Sequence, residues 1–321
     1  MQTFNSPAHP PKRSAARGKA LSAVLLAGLS TLMLQSTALG ASGPVNAVGI
    51  ENEYADVIAQ IGGKYVHVTT ILSDPNTDPH TFEASPKIAK EVGAAEIVVE
   101  NGIGYDDWAD KILAASPNPA RKVISAQQVL GLPDDTPNPH LWFDPKTMPA
   151  VAKAVAAELS ALRPDQAKYF ADNEQKFEAS LKPWFDAIAK FKADHPATPV
   201  AVTEPVADYL LQALGADIKT PNTLEMAAMN DSDPSPQDIS TQNDLLTSGA
   251  VKVFAYNQQV TDDLTTSFQE AAKKGKVPIV GVYETMPTPG FTYQSWMLAE
   301  VEALDKAVAS GVSTEKLVAK K

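Results

Sequence analysis

The chain has five histidines, 38 acidic residues and no cysteine. Its chemistry must therefore use imidazole, carboxylate, hydroxyl or backbone groups. Two histidines stand in matching contexts: Asp78-Pro79-His80-Thr81-Phe82 and Asn138-Pro139-His140-Leu141-Trp142 both read [Asp/Asn]-Pro-His-x-aromatic. Proline before each histidine fixes φ and restricts its loop. Two carboxylates directly follow apolar runs, Glu204 after PVAVT and Glu284 after VPIVGVY. Pro205 steers Glu204 toward an extended backbone. A stiff backbone suits metal ligation, because less freedom is lost on binding. Two imidazoles and two carboxylates fit Zn²⁺, Mn²⁺ or Fe²⁺. They do not fit Cu(I), which prefers thiolate and thioether.

Other residues compete for these roles. His67 alternates with Val66 and Val68 and reads as a structural strand residue. His195, in Lys-Ala-Asp-His-Pro, reads as the end of a helix. Glu51 and Glu100 also end apolar runs, Glu51 before Asn52-Glu53 and Glu100 before the turn signal Asn101-Gly102. By position alone, these two acids stand level with Glu204 and Glu284.

The elements that would carry these residues alternate. Val45–Ile50, Tyr65–Leu72, Ile97–Glu100, Lys122–Ser125, Pro199–Thr203, Val251–Tyr256 and Pro278–Tyr283 read as strands. Amphipathic stretches separate them, for example Val151, Val155, Leu159 and Leu162, or Met297, Val301, Leu304 and Val308. Alternation implies βαβ units and parallel sheets, and VKVFAY and VPIVGVY are apolar on both faces, as strands between helix layers must be. The alternation breaks over residues 145–194, which read as helix after helix. The expected architecture is α/β: two α/β lobes with mainly parallel sheets at 41–163 and 195–321, a long connecting helix at 164–194, and the site in the cleft. Ligands in such sheets bind beyond the carboxyl ends of strands. That edge carries His80 and His140 in the first lobe and Glu204 and Glu284 in the second.

Residues 1–40 read as a secretory signal peptide. Lys12, Arg13, Arg17 and Lys19 precede an apolar run, Leu21–Leu34, and the small-residue exit Ala38-Leu39-Gly40. The run is short for a membrane span, which needs about 20 residues. Lipid attachment at the cleavage site would require a cysteine, which the chain lacks. Removing these residues takes away four basic groups and no acid, moving the net charge from −11 to −15. So acidic a chain has little to neutralise phosphates or anionic membranes, which argues against nucleic-acid partners.

The stretch ILSDPNTDPHTFEASPKIAKEVGAAEIVVENGIGYDDW closely resembles the first-ligand region of periplasmic metal-binding proteins of zinc/manganese ABC importers. Its motif is Asp78, Pro79, His80, Phe82, Glu83 and Pro86, with Asn101-Gly102 following. Asn138-Pro139-His140-Leu141-Trp142, PVAVTEPVADYLLQALG and VPIVGVYETMP are similar to the second, third and fourth ligand segments. The resemblance implies His80, His140, Glu204 and Glu284 as ligands. Many zinc members have histidine at the third position and the fourth is commonly aspartate, whereas this chain has Glu204 and Glu284. A His-rich loop is absent, since only DDTPNPH runs from Asp134 to His140. These departures favour a harder, manganese-like site without excluding zinc.

The resemblance implies a monomeric periplasmic receptor that captures zinc or manganese, with Fe²⁺ a further fit, and delivers it to a membrane permease without catalysis. Two other readings compete. A His₂-carboxylate hydrolase would need a further general base and an organic pocket, and no H-E-x-x-H is present. An exported adhesin or interaction protein would hold its metal only incidentally.

Overall fold

The computed structural model describes residues 43–319, apart from 77 and 231. The signal-peptide reading of residues 1–40 lies outside them. β1 (Val45–Glu51), β2 (Val66–Leu72), β3 (Ile97–Glu100) and β4 (Lys122–Ser125) form a parallel sheet in the order β2-β1-β3-β4. β5 (Pro199–Val202), β6 (Asp217–Ile218), β7 (Val253–Asn257) and β8 (Ile279–Val282) form a second parallel sheet, β6-β5-β7-β8. The two α/β lobes expected from the strand–helix alternation are therefore present. Strand order reverses between β1 and β3, and again between β5 and β7. At such reversals a crevice opens beyond the strands' carboxyl ends.

Between the first strands run α1 (Asn52–Gly62), α2 (Pro86–Ala94) and α3 (Asp107–Ala115), and α4 (Ala126–Leu130) and α5 (Thr147–Leu162) follow β4. The chain then passes through α6 (Ala167–Ser180) and α7 (Lys182–Asp194). In the second lobe come α8 (Asp208–Ala213), α9 (Asn222–Met229), α10 (Pro236–Thr247), α11 (Asp263–Gly275) and finally α12 (Tyr293–Ser310). β7 and β8 are buried along their whole length, as their apolar sequences require. β6 escapes the sequence pattern because it is only two residues, Asp217-Ile218.

The segment 164–194, expected as one connecting helix, is instead a 3₁₀ turn (Pro164–Gln166) followed by α6 and α7, which meet at Leu181. Pro183 explains the restart. Its ring has no N–H to donate, so it is accommodated in a first helical turn and not in an interior. α6 packs on α1 and α5, and α7 packs on α12, so the segment rests on both lobes.

Three apolar clusters order the layers. Val48, Ile50 and Val98 pack with Val92 and Ala109 beneath α2 and α3. Ala201, Phe254 and Tyr256 pack with Leu246, Phe268 and Ala272 beneath α10 and α11. The largest cluster is central and continuous, joining inner-face residues of both sheets to α1, α5, α6, α7, α8 and α12. Trp184 of α7 is buried there, stacked on Phe185 at 5.2 Å and edge-on to Tyr293 at 5.9 Å. Trp184→Ala should cost about 3–5 kcal/mol of stability. Denaturant unfolding measures this, and an unchanged midpoint would contradict the shared core.

Candidate metal centre

Each histidine is oriented by the residue two before it. Asp78 Oδ1 accepts from the backbone N–H of His80 at 2.8 Å and lies 3.0 Å from its Nδ1. Asn138 Oδ1 does the same for His140, at 3.0 Å from the backbone N and 2.8 Å from Nδ1. With an acceptor facing Nδ1, that nitrogen carries the proton and Nε2 keeps its lone pair in the neutral ring. The [Asp/Asn]-Pro-His spacing thus prepares an imidazole for ligation. The two rings differ in environment. The His80 side chain is 30% exposed and that of His140 is fully buried, edge-on to Tyr105 at 5.8 Å and to Trp142 at 5.3 Å.

The loop carrying His140 is tied to the turn after β3. Asn101 donates from Nδ2 to the Pro139 carbonyl at 2.7 Å, and its Oδ1 accepts from Tyr54 OH at 2.7 Å. Asp106 closes this turn by accepting from Asn101 N at 2.6 Å and Gly102 N at 2.9 Å. Gly102 has φ +85°, and a Cβ there would lie 2.7 Å from Gln127 Oε1, so glycine is required.

The carboxylates come from the second lobe. Glu204 follows β5 with extended backbone, φ −156° and ψ 168°, as Pro205 dictates. It is buried, and its Oε2 has no hydrogen-bond partner among the described residues. Glu284 follows β8 and is fully buried. Asn257, the last residue of β7, donates from Nδ2 to its Oε1 at 2.5 Å, and Tyr105 OH donates to its Oε2 at 2.9 Å. The same carboxylate faces both histidines, Oε1 at 3.8 Å from His80 Nδ1 and Oε2 at 3.4 Å from His140 Nε2. Ligand-capable atoms of His80, Glu204 and Glu284 all lie within 4.8 Å of one another. His140 lies outside this set of three and meets it through Glu284 alone, so the structure brings three of the four expected residues together and sets the fourth beside one of them.

The electrostatics fit a site short of positive charge. Burial, then repulsion from Glu284, pushes Glu204 up to about 8. Burial also opposes ionisation of Glu284, but His140 and His80 beside it outweigh that and hold its carboxyl below the usual range. Burial works against protonation of His80, yet Glu284, Glu204 and Asp78 together raise its pKa. A cation would replace the protons shared by this set.

The model of the family described as "Zinc-uptake complex component A periplasmic" matches residues 51–307. The chain belongs to this family. The manganese-binding lipoprotein MntA of Bacillus subtilis (strain 168) is 25% identical to it over 245 residues, 72% of this chain and 76% of the relative. Among solved structures, the periplasmic zinc-binding protein TroA from Treponema pallidum aligns with a TM-score of 0.70 at 18% identity, covering 84% of this chain and 100% of the other. FpvC from Pseudomonas aeruginosa, in complex with Mn²⁺, aligns with a TM-score of 0.66 at 21% identity, covering 83% of this chain and 98% of that one. These structures share the two-lobed fold.

The remaining candidates of this zinc-uptake family member lie elsewhere. His67 is exposed on β2. His195 caps the end of α7 and faces Asp305 of α12 at 3.1 Å. Asp262 caps α11 by accepting from Thr265 N at 2.6 Å. Glu51 and Glu100 are buried at the strand reversal of the first sheet and are not part of the close-packed set. Burial and neighbouring acids, Asp106 first among them, push Glu51 well up and Glu100 up to about 8. Sequence reasoning missed Tyr105, Asn257 and the orienting roles of Asp78 and Asn138. The repeated Asx two residues before each histidine was the one visible signal for the latter pair.

Proposed function

We propose that this protein captures a divalent transition metal, Zn²⁺ or Mn²⁺, between its lobes and delivers it to the membrane permease of an ABC importer. The ion is cargo, and His80, His140, Glu204 and Glu284 are its ligands. The observation that carries this reading is the cluster of His80, Glu204 and Glu284, with ligand-capable atoms within 4.8 Å of one another, and His140 Nε2 3.4 Å from Glu284. The relatives' names, manganese-binding, zinc-binding and in complex with Mn²⁺, support the same cargo. Fe²⁺ also fits the donor set. The protein works after export, as a periplasmic monomer released from a signal peptide at residues 1–40. It has lobes at 41–163 and 195–321 with 164–194 between them. Because the central core is continuous, loading and release involve small lobe shifts, not a wide hinge.

Catalysis is not part of this reading. Cavities of about 200 Å³ beside Glu204 and about 180 Å³ beside Asp78 and Pro79 flank the site.

The test is metal content after purification from the native compartment, with melting curves in added Zn²⁺ and Mn²⁺. Binding to the folded state alone stabilises by about 2.7 kcal/mol at a hundred times Kd. No rise in melting temperature with either ion would sink the proposal. Proton competition gives a second check. Ordinary imidazoles and carboxylates would stop competing a little above pH 6.5. Here His80 is raised and Glu204 titrates at about 8, so affinity should keep climbing from about pH 5 to about pH 8. A plateau reached by about pH 6 in competition titrations would show that these groups do not bind the ion.

A further inference from the structure

The two Asx-Pro-His units differ at their first residue, and the structure gives the difference a purpose. Both side chains accept from the histidine two residues on. Asn138 does more: its Nδ2 donates to the carbonyl of Pro205 at 2.7 Å, and its own carbonyl accepts from Tyr209 OH of α8 at 2.8 Å. Pro205 directly follows Glu204. Asn138 belongs to the first lobe's loop, and Pro205 and Tyr209 to the second lobe.

The atom assignments follow from one another. A backbone N–H only donates, so the atom facing His140 N must be the amide oxygen of Asn138. That oxygen also faces Nδ1 of His140, which must then carry the ring proton. The ring's Nε2 is left to face Glu284 Oε2 at 3.4 Å. The other end of the amide is then the NH₂ group, and the Pro205 carbonyl needs a donor there. Aspartate could anchor His140 equally well, but it would set a carboxylate against that carbonyl. At Asp78 the carboxylate takes both bonds from His80, and among the described residues no bond from Asp78 to the second lobe matches Asn138's.

We infer that Asn138 is a positioning residue for two ligands at once, fixing the tautomer of His140 through Oδ1 and the placement of Glu204 through Nδ2 and Pro205. It links an imidazole of one lobe to a carboxylate of the other through a single amide. The inference rests on reading His140 and Glu204 as ligands. A ligand's orienting partner is typically worth about 10- to 100-fold in metal affinity.

Two variants of the full-length mature protein separate the halves. Asn138→Asp keeps the acceptor and loses the donor. Asn138→Ala loses both. Mn²⁺ and Zn²⁺ affinities are measured by competition titration, and the His140 tautomer by ¹⁵N-imidazole NMR. Asn138→Asp should keep the Nδ1–H signature and lose affinity about 10-fold. In a Glu204→Ala background that loss should vanish, because the ligand it positions is gone. Asn138→Ala should lose the single-tautomer signature and about 100-fold in affinity. Should Asn138→Ala fail to fold by melting curve, the aspartate variant and its double mutant still decide the cross-lobe half. Wild-type affinity in Asn138→Asp, or a loss that persists undiminished without Glu204, would overturn the inference. If His140→Ala and Glu204→Ala themselves bind as wild type, it is the ligand assignment that fails instead.

Discussion

Replacing His140 with alanine should lower the affinity for Mn²⁺ and Zn²⁺ by at least about 100-fold, or about 3 kcal/mol at 1.4 kcal/mol per decade. The ring is fully buried, held through Nδ1 by Asn138 and clasped edge-on by Tyr105 and Trp142. Its Nε2 is aimed before the ion arrives, so little ordering cost falls on binding. Among the described residues no other histidine outside the proposed site can replace it: His67 is exposed on β2, and His195 is engaged with Asp305 at the end of α7. His67→Ala and His195→Ala should therefore bind as wild type. His80→Ala should also weaken binding, but less, because that side chain is 30% exposed and water can take the vacated position. The measurement is competition titration, with melting curves of the metal-free variants to confirm folding. Wild-type affinity in His140→Ala, or a large loss in His195→Ala, would refute the ligand set.

The parts of this structure that were legible from sequence share a physical cause. Strands buried on both faces leave long apolar runs, so β7 and β8 stood out as VKVFAY and VPIVGVY. β6 did not, because two residues have no pattern to show. The break between α6 and α7 was signalled by Pro183, yet the apolar periodicity on either side masked it. Among site residues, the histidines were visible because proline and Asx recur at fixed offsets around them. The carboxylates were harder. Glu51, Glu100, Glu204 and Glu284 all end or follow apolar strands, so position alone does not separate them; the resemblance of the segments around Glu204 and Glu284 to known ligand segments does. Tyr105 lies three residues beyond Gly102, and Asn257 ends β7. Neither stands near Glu284 in sequence, so their contact with its carboxylate is a property of tertiary structure alone.

That contact puts Glu284 at the centre of the proposed site, and its replacement should have the second of the two largest effects. Glu284→Gln preserves shape but removes the charge that Asn257, Tyr105, His140 and His80 surround. Loss of affinity for either metal should again reach about 100-fold, since a buried dication would then be opposed by Glu204 alone. A second effect distinguishes this charge from mere packing. Glu284 raises His80 and raises Glu204, the latter after burial. Without it both groups should release their protons at lower pH. The sign follows for binding: fewer protons need displacing near neutrality, so the residual affinity should level off at a lower pH than in the wild type. In the metal-free variant, the NMR titration of His80 should likewise move to lower pH. Two buried donors facing an amide in place of a carboxylate also predict a lower melting temperature, since Asn257 Nδ2 and Tyr105 OH lose a charged acceptor. Weakened binding with an unshifted His80 titration would mean that Glu284 shapes the cavity without setting its charge, and wild-type affinity would remove it from the site altogether.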